Sequence, residues 1–120
     1  MANEIRVNLQ FDVNKGSFTD SFPIPSRLYT QTGEGGGNPG TISVGTSEET
    51  LSFSELGTEG WLCFKNLDPT NYVQWGFATT AYGGRISPGG FGIFELEPST
   101  TLYLKANAAA CKMQIKCFEK

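Results

Sequence analysis

The segment FKNLDPTNYVQWGF, residues 64–77, decides how the chain is read. Two apolar, aromatic-rich stretches flank a polar centre, and the centre has the chemistry of a turn. In Asp68-Pro69-Thr70-Asn71, the first residue offers a carboxylate to following backbone amides and proline presets φ at the second. Asn66 and Asn71 flank the turn and are placed to satisfy exposed backbone groups. The segment is therefore strand, turn, strand. If Val73 points inward, strand parity puts Trp75 and Phe77 on the same face. A second reading uses the same residues as a sugar site, with Tyr72 or Trp75 stacked on a sugar ring and Asp68 or Asn71 bonding its hydroxyls. Calcium is a weaker match, because one Asp and two Asn within six residues are followed by no bidentate Glu at loop-like spacing.

Outward from this hairpin, period-2 patterning continues. Residues 61–66 (WLCFKN) form an almost continuous apolar run, expected as a central strand. Residues 91–97, 101–106 and 111–119 are further strands, divided by Pro88-Gly89-Gly90 and Pro98-Ser99-Thr100. In the last, Cys111, Met113, Ile115 and Cys117 face in, and Lys112, Gln114 and Lys116 face out. Towards the N-terminus, 41–46 and 50–56 are short strands around Ser47-Glu48-Glu49. In residues 5–13, Ile5, Val7, Leu9, Phe11 and Val13 alternate with polar residues as in a half-buried strand. Residues 17–30 are extended, and Pro23 and Pro25 exclude a helix and any central ladder position. Helical periodicity is missing throughout; one turn between Ala106 and Lys112 is the most the alanines allow. The pattern predicts an all-β fold: a single-domain antiparallel β-sandwich, jelly-roll-like, of eight or nine strands over residues 1–120.

Between the second and third extended segments lies TGEGGGNPG, residues 32–40, with five glycines in nine residues. It has no apolar anchor and predicts a flexible loop at 33–40. It is no phosphate cradle, since neither Lys-Ser nor Lys-Thr follows. Gly33, Gly35, Gly36, Gly37, Asn38 and Pro39 are candidate partner contacts that, with Met1 to Asn3, order on assembly; the plainer reading is a solvated connector.

Composition narrows the function classes. The 120 residues carry 38% hydrophobic and 18% charged side chains, enough for a real core. Nine basic and twelve acidic residues give a net charge of −3 with no basic block, which argues against a nucleic-acid partner. No apolar run reaches the ~20 residues of a membrane span, and MANEIRVNLQ has no signal-peptide pattern, so the protein is expected to be made and left in a cytoplasm. With no histidine, the commonest general base, the nucleophile pairs built on it and the usual zinc ligand are missing. Glu95 and Glu97 share a strand face but have the pattern of a solvated surface rather than a glycosidase pair. No catalytic residue, cofactor or metal is expected. Cys63, Cys111 and Cys117 sit in apolar runs and are expected reduced and buried, with one disulfide plus one thiol as the alternative.

The run G-W-L-x-F-K-N-L-D-x-T-N-Y-V, Gly60 to Val73, resembles a hairpin in small virion structural proteins of tailed bacteriophages. The likeness extends through Pro88-Gly89-Gly90-Phe91-Gly92-Ile93-Phe94-Glu95-Leu96 and Leu102-Tyr103-Leu104-Lys105-Ala106, covering roughly residues 48–119. It implies a compact β-sandwich without enzymatic activity, located in the virion. In that role the chain decorates or cements a shell, its partners being the capsid protein or another virion protein. It also implies a homo-oligomer, a trimer being favoured. The alternative from the residues is a carbohydrate-binding or adhesion module, including a tail or fibre component.

Overall fold

In the closing strand, residues alternate between zero exposure at Cys111, Met113, Ile115 and Cys117 and an exposed position at Lys112, Gln114 and Lys116. That strand organises one of two four-stranded sheets. The structure, a computed structural model, describes residues 3–33, 38–53, 56 and 58–120, with backbone alone at 38 and 39. It contains ten strands: β1 Ile5–Lys15, β2 Phe18–Tyr29, β3 Asn38–Val44, β4 Glu49–Ser52, β5 Glu59–Asn66, β6 Val73–Gly76, β7 Gly84–Ile86, β8 Phe91–Glu95, β9 Thr101–Ala106 and β10 Cys111–Glu119. No helix occurs among the described residues; the Ala-rich stretch after β9 is a bend.

The chain divides into two compact units, Met1–Thr32 and Gly33–Lys120. The second is the sandwich. Its sheets run β3-β10-β5-β8 and β4-β9-β6-β7, every pairing antiparallel. Eight strands that pass back and forth between two four-stranded sheets in this order make a jelly roll. Both sheets send side chains to one core: Leu62, Phe64, Met113 and Ile115 from the first, Val73, Ile86, Leu102 and Leu104 from the second. Each such side chain contributes about 1.5–3 kcal/mol when fully buried. WLCFKN lies inside β5, between β10 and β8, the central position its apolar run predicts.

Two sequence expectations change here. The loop predicted over 33–40 is shorter: Asn38, Pro39 and Gly40 pair with Cys117, Lys116 and Ile115 as the first residues of β3. Proline is tolerated because β3 is an edge strand, where a missing amide proton leaves no ladder bond unmade. Gly33 is also fixed, its amide donating to the Lys120 carbonyl at 2.6 Å. A Cβ there would lie 2.8 Å from the Glu119 Cβ. Gly35, Gly36 and Gly37, like Met1 and Ala2, lie outside the described residues. The strand expected through Leu56 ends at Ser52.

The first unit is an antiparallel two-stranded sheet, β1 with β2, turned at Gly16 (φ 59°). Opposed residues share a face, so Phe11 with Phe22, Leu9 with Ile24 and Ile5 with Tyr29 line one side. Pro25 and Ser26 bulge opposite Asn8, which keeps Arg27 and Tyr29 on that side despite the odd spacing. The half-buried strand expected of residues 5–13 is half-buried only to Leu9. Phe11 and Val13 are exposed, because two strands cannot bury a face within themselves.

Candidate functional site

The turn of residues 66–72 is built by side chains. Asp68 accepts from the amides of Thr70 (2.8 Å) and Asn71 (2.6 Å). These amides, Asn71 first, hold its carboxyl below the usual aspartate range. Asn66 is wholly buried at the end of β5. Its amide donates to the carbonyls of Asn71 (2.9 Å), Ile86 (3.2 Å) and Ser87 (3.3 Å), and its oxygen accepts from the Asp68 amide (2.9 Å). One amide thus ties the turn to the end of β7. The sequence read Asn66 as a flanking residue that satisfies exposed groups; it does so from inside the fold.

The four sugar-contact candidates do not converge. Val73 is fully buried, so Trp75, two residues on, faces the interior. Its indole packs on Phe94 (centroids 4.9 Å) and Phe64 (5.4 Å), joining the two sheets. It also lies where a Cβ on Gly84, its cross-strand partner, would come within 2.1 Å. Phe77 keeps a ring contact with Trp75 (5.6 Å). Tyr72 has the opposite parity, and the Arg85 guanidinium lies 3.8 Å over its ring centroid. Asp68 and Asn71 are engaged within the turn.

A second polar cluster had no signal in the sequence. Glu48, between β3 and β4, accepts from the Thr79 hydroxyl (2.6 Å), the Thr80 amide (2.7 Å) and the Tyr82 hydroxyl (2.5 Å). The Thr79 bond, then the other two, lowers the Glu48 pKa; in return the Tyr82 phenol is pushed up to about 12. These partners stand more than thirty positions away, beyond any local pattern. Thr80 has a left-handed backbone (φ 55°), which the carboxylate holds through the Thr80 amide. The cluster fastens the β6–β7 connection.

The outer face of the β3-β10-β5-β8 sheet differs in kind. Strand parity turns Cys63 outward between buried Leu62 and Phe64, so the expectation of three buried thiols is corrected at this position. Cys111 and Cys117 are buried, and all three are free thiols. Burial pushes the Cys63 thiol up and the Cys117 thiol to about 12. Beside Cys63 on the edge strand β8, Phe91 (63% exposed) and Ile93 (43%) stand in water. Together with Lys65, Gln114 and Lys116 they border a shallow depression of about 350 Å³. Such a surface offers van der Waals contact, two ammonium groups and the Cys63 thiol.

Among the described residues, no three His, Cys, Asp or Glu side chains are grouped to hold a metal, and no buried side-chain nitrogen or oxygen lacks a hydrogen-bond partner. No family model, curated protein or solved structure matches the chain.

Proposed function

We propose that this protein is a non-enzymatic structural component of a phage virion, a decoration or cement protein that binds the shell surface. One observation carries the reading: the polar residues proposed for a ligand site are engaged in holding turns, while several large apolar side chains on sheet faces stand in water. Asp68, Asn66 and Glu48 are absorbed by the fold, whereas Phe11, Phe18, Phe22, Phe91 and Ile93 are exposed. Exposed apolar faces of this kind mark contact surfaces, and protein contact is the one this reading takes. The jelly roll occurs in viral capsid and lectin domains alike, so the fold supports the class without selecting the role. The resemblance over residues 48–119 supplies the virion setting.

The test is an add-back experiment. Particles from the genome that encodes the chain, made with its gene deleted, are incubated with purified protein and sedimented. Saturable binding at a fixed number of copies per particle is expected. Absence of binding, together with saturable glycan-array retention by the same folded protein, would replace this reading with the carbohydrate-binding one.

A further inference from the structure

We propose that the β1–β2 hairpin is a self-association element, in which the apolar faces of two copies stack with their strands reversed about a two-fold axis. The inference concerns the chain in solution and stands independently of the virion reading.

A two-stranded hairpin is marginal in water unless a face is covered. This one has eleven- and twelve-residue strands and a strongly amphipathic section. One side carries, row by row, Ile5 with Tyr29, Val7 with Arg27, Leu9 with Ile24, Phe11 with Phe22, Val13 with Asp20 and Lys15 with Phe18. The other carries Arg6, Gln10, Asp12 and Asn14 against Leu28, Pro23, Ser21 and Thr19. On the first side Phe11, Phe18 and Phe22 are 59%, 60% and 67% exposed. The covering surface must therefore be apolar in the middle and must meet Asp20 near the turn and Arg27 near the open end.

The same face, reversed, fits that description. A two-fold axis lying across the strands, between the Leu9/Ile24 and Phe11/Phe22 rows, sets β1 on β1 and β2 on β2. The row of Val7 and Arg27 then falls opposite the row of Val13 and Asp20. Arg27 meets Asp20 of the second copy, twice by symmetry, and Val7 meets Val13. The middle rows put Leu9 on Phe11 and Ile24 on Phe22. The last rows put Tyr29 on Phe18. Five of the six pairings match apolar with apolar or opposite charges, as an isologous contact requires; the sixth sets Ile5 opposite Lys15 at the rim, where the lysine ammonium reaches water. An uncharged lipid surface would leave Asp20 and Arg27 desolvated without partners. The side-chain face, not the β2 edge, makes the contact, because Pro23 and Pro25 cannot donate ladder bonds.

Sedimentation velocity on the full chain over a range of concentrations decides the matter. The wild type should show twice the 13.0 kDa chain mass. Asp20→Arg places like charges opposite each other twice and should weaken pairing by at least about tenfold. Adding Arg27→Asp to it restores the opposition and should restore the dimer. Phe11→Asp with Phe22→Asp should give monomer, with the sandwich's thermal transition unchanged. A wild-type mass of one chain or of three would overturn the proposal. So would a dimer indifferent to these changes, or a monomer that co-sediments with phosphatidylcholine vesicles, which would assign the face to lipid.

Discussion

Asn66 ties the turn to the end of β7 from a fully buried position. Three carbonyls accept from its amide and one backbone amide donates to its oxygen. Asn66→Ala leaves buried groups unsatisfied and should lower unfolding free energy by about 2–4 kcal/mol. Urea denaturation checks this, and an unchanged midpoint would contradict it. The carboxylates make a separate prediction about pH. Asp68 and Glu48 have folded pKa values below their ordinary 3.8 and 4.5. Their contribution is therefore fully present above those values and is lost as pH falls through the lower, folded ones. In Asp68→Asn the carbonyl oxygen still accepts but carries no charge. The gap in thermal midpoint between wild type and this variant should be constant near neutrality and close in acid. Tyr82 has the opposite sign: its raised pKa makes its contribution complete below pH 10 and lost as pH rises through about 12. The Asp68 turn was legible because its chemistry is local: Asp, Pro and Asn act within four positions. Glu48 was not, because its three partners are brought to it by the tertiary fold.

At the scale of elements, strand positions followed from alternation and turn residues, since burial of one face imposes a period of two. β9 and β10 coincide with the predicted 101–106 and 111–119. The β3 start was missed because glycine and proline mark loops locally, while an edge position that tolerates proline is a property of the whole sheet. Glycine in the sandwich has a packing reason that sequence does not expose. A Cβ on Gly92 in β8 would lie 2.0 Å from Cε1 of Phe64 on the neighbouring strand. Phe64 cannot yield easily, since Trp75 and Phe94 brace its ring. Gly92→Ala should thus cost about 1–3 kcal/mol and shift the tryptophan emission; a variant as stable as wild type would show that the ring moves freely. The thiols test strand parity. Cys63 on the outer side of β5 should be alkylated in the native state, slowly at neutral pH because burial raises its pKa and faster as pH rises. Cys111 and Cys117 should react only on unfolding. Mass spectrometry of the labelled peptides reads all three, and equal native rates would contradict the inward orientation of the last two.

For the whole molecule, the all-β sandwich was legible and its division was not. Ile5, Val7, Leu9, Phe11 and Val13 carry the alternation of a core strand, and nothing local distinguishes a strand whose partner face belongs to its own sandwich from one in a two-stranded sheet with an exposed face. The sugar-site candidates failed to converge for a related reason. Tyr72 and Trp75 are close in sequence but of opposite parity across a sheet that buries one side. What emerges is a jelly roll whose polar residues maintain its turns and whose exposed apolar faces are free to meet protein. On the proposed reading its role is assembly rather than chemistry, and a reconstruction of the particle tests that proposal most directly. The account predicts jelly-roll density at regularly repeated sites on the shell, in fixed number, with hairpins of adjacent copies stacked in pairs; purified particles without the chain, or holding it only as isolated single copies, would contradict it.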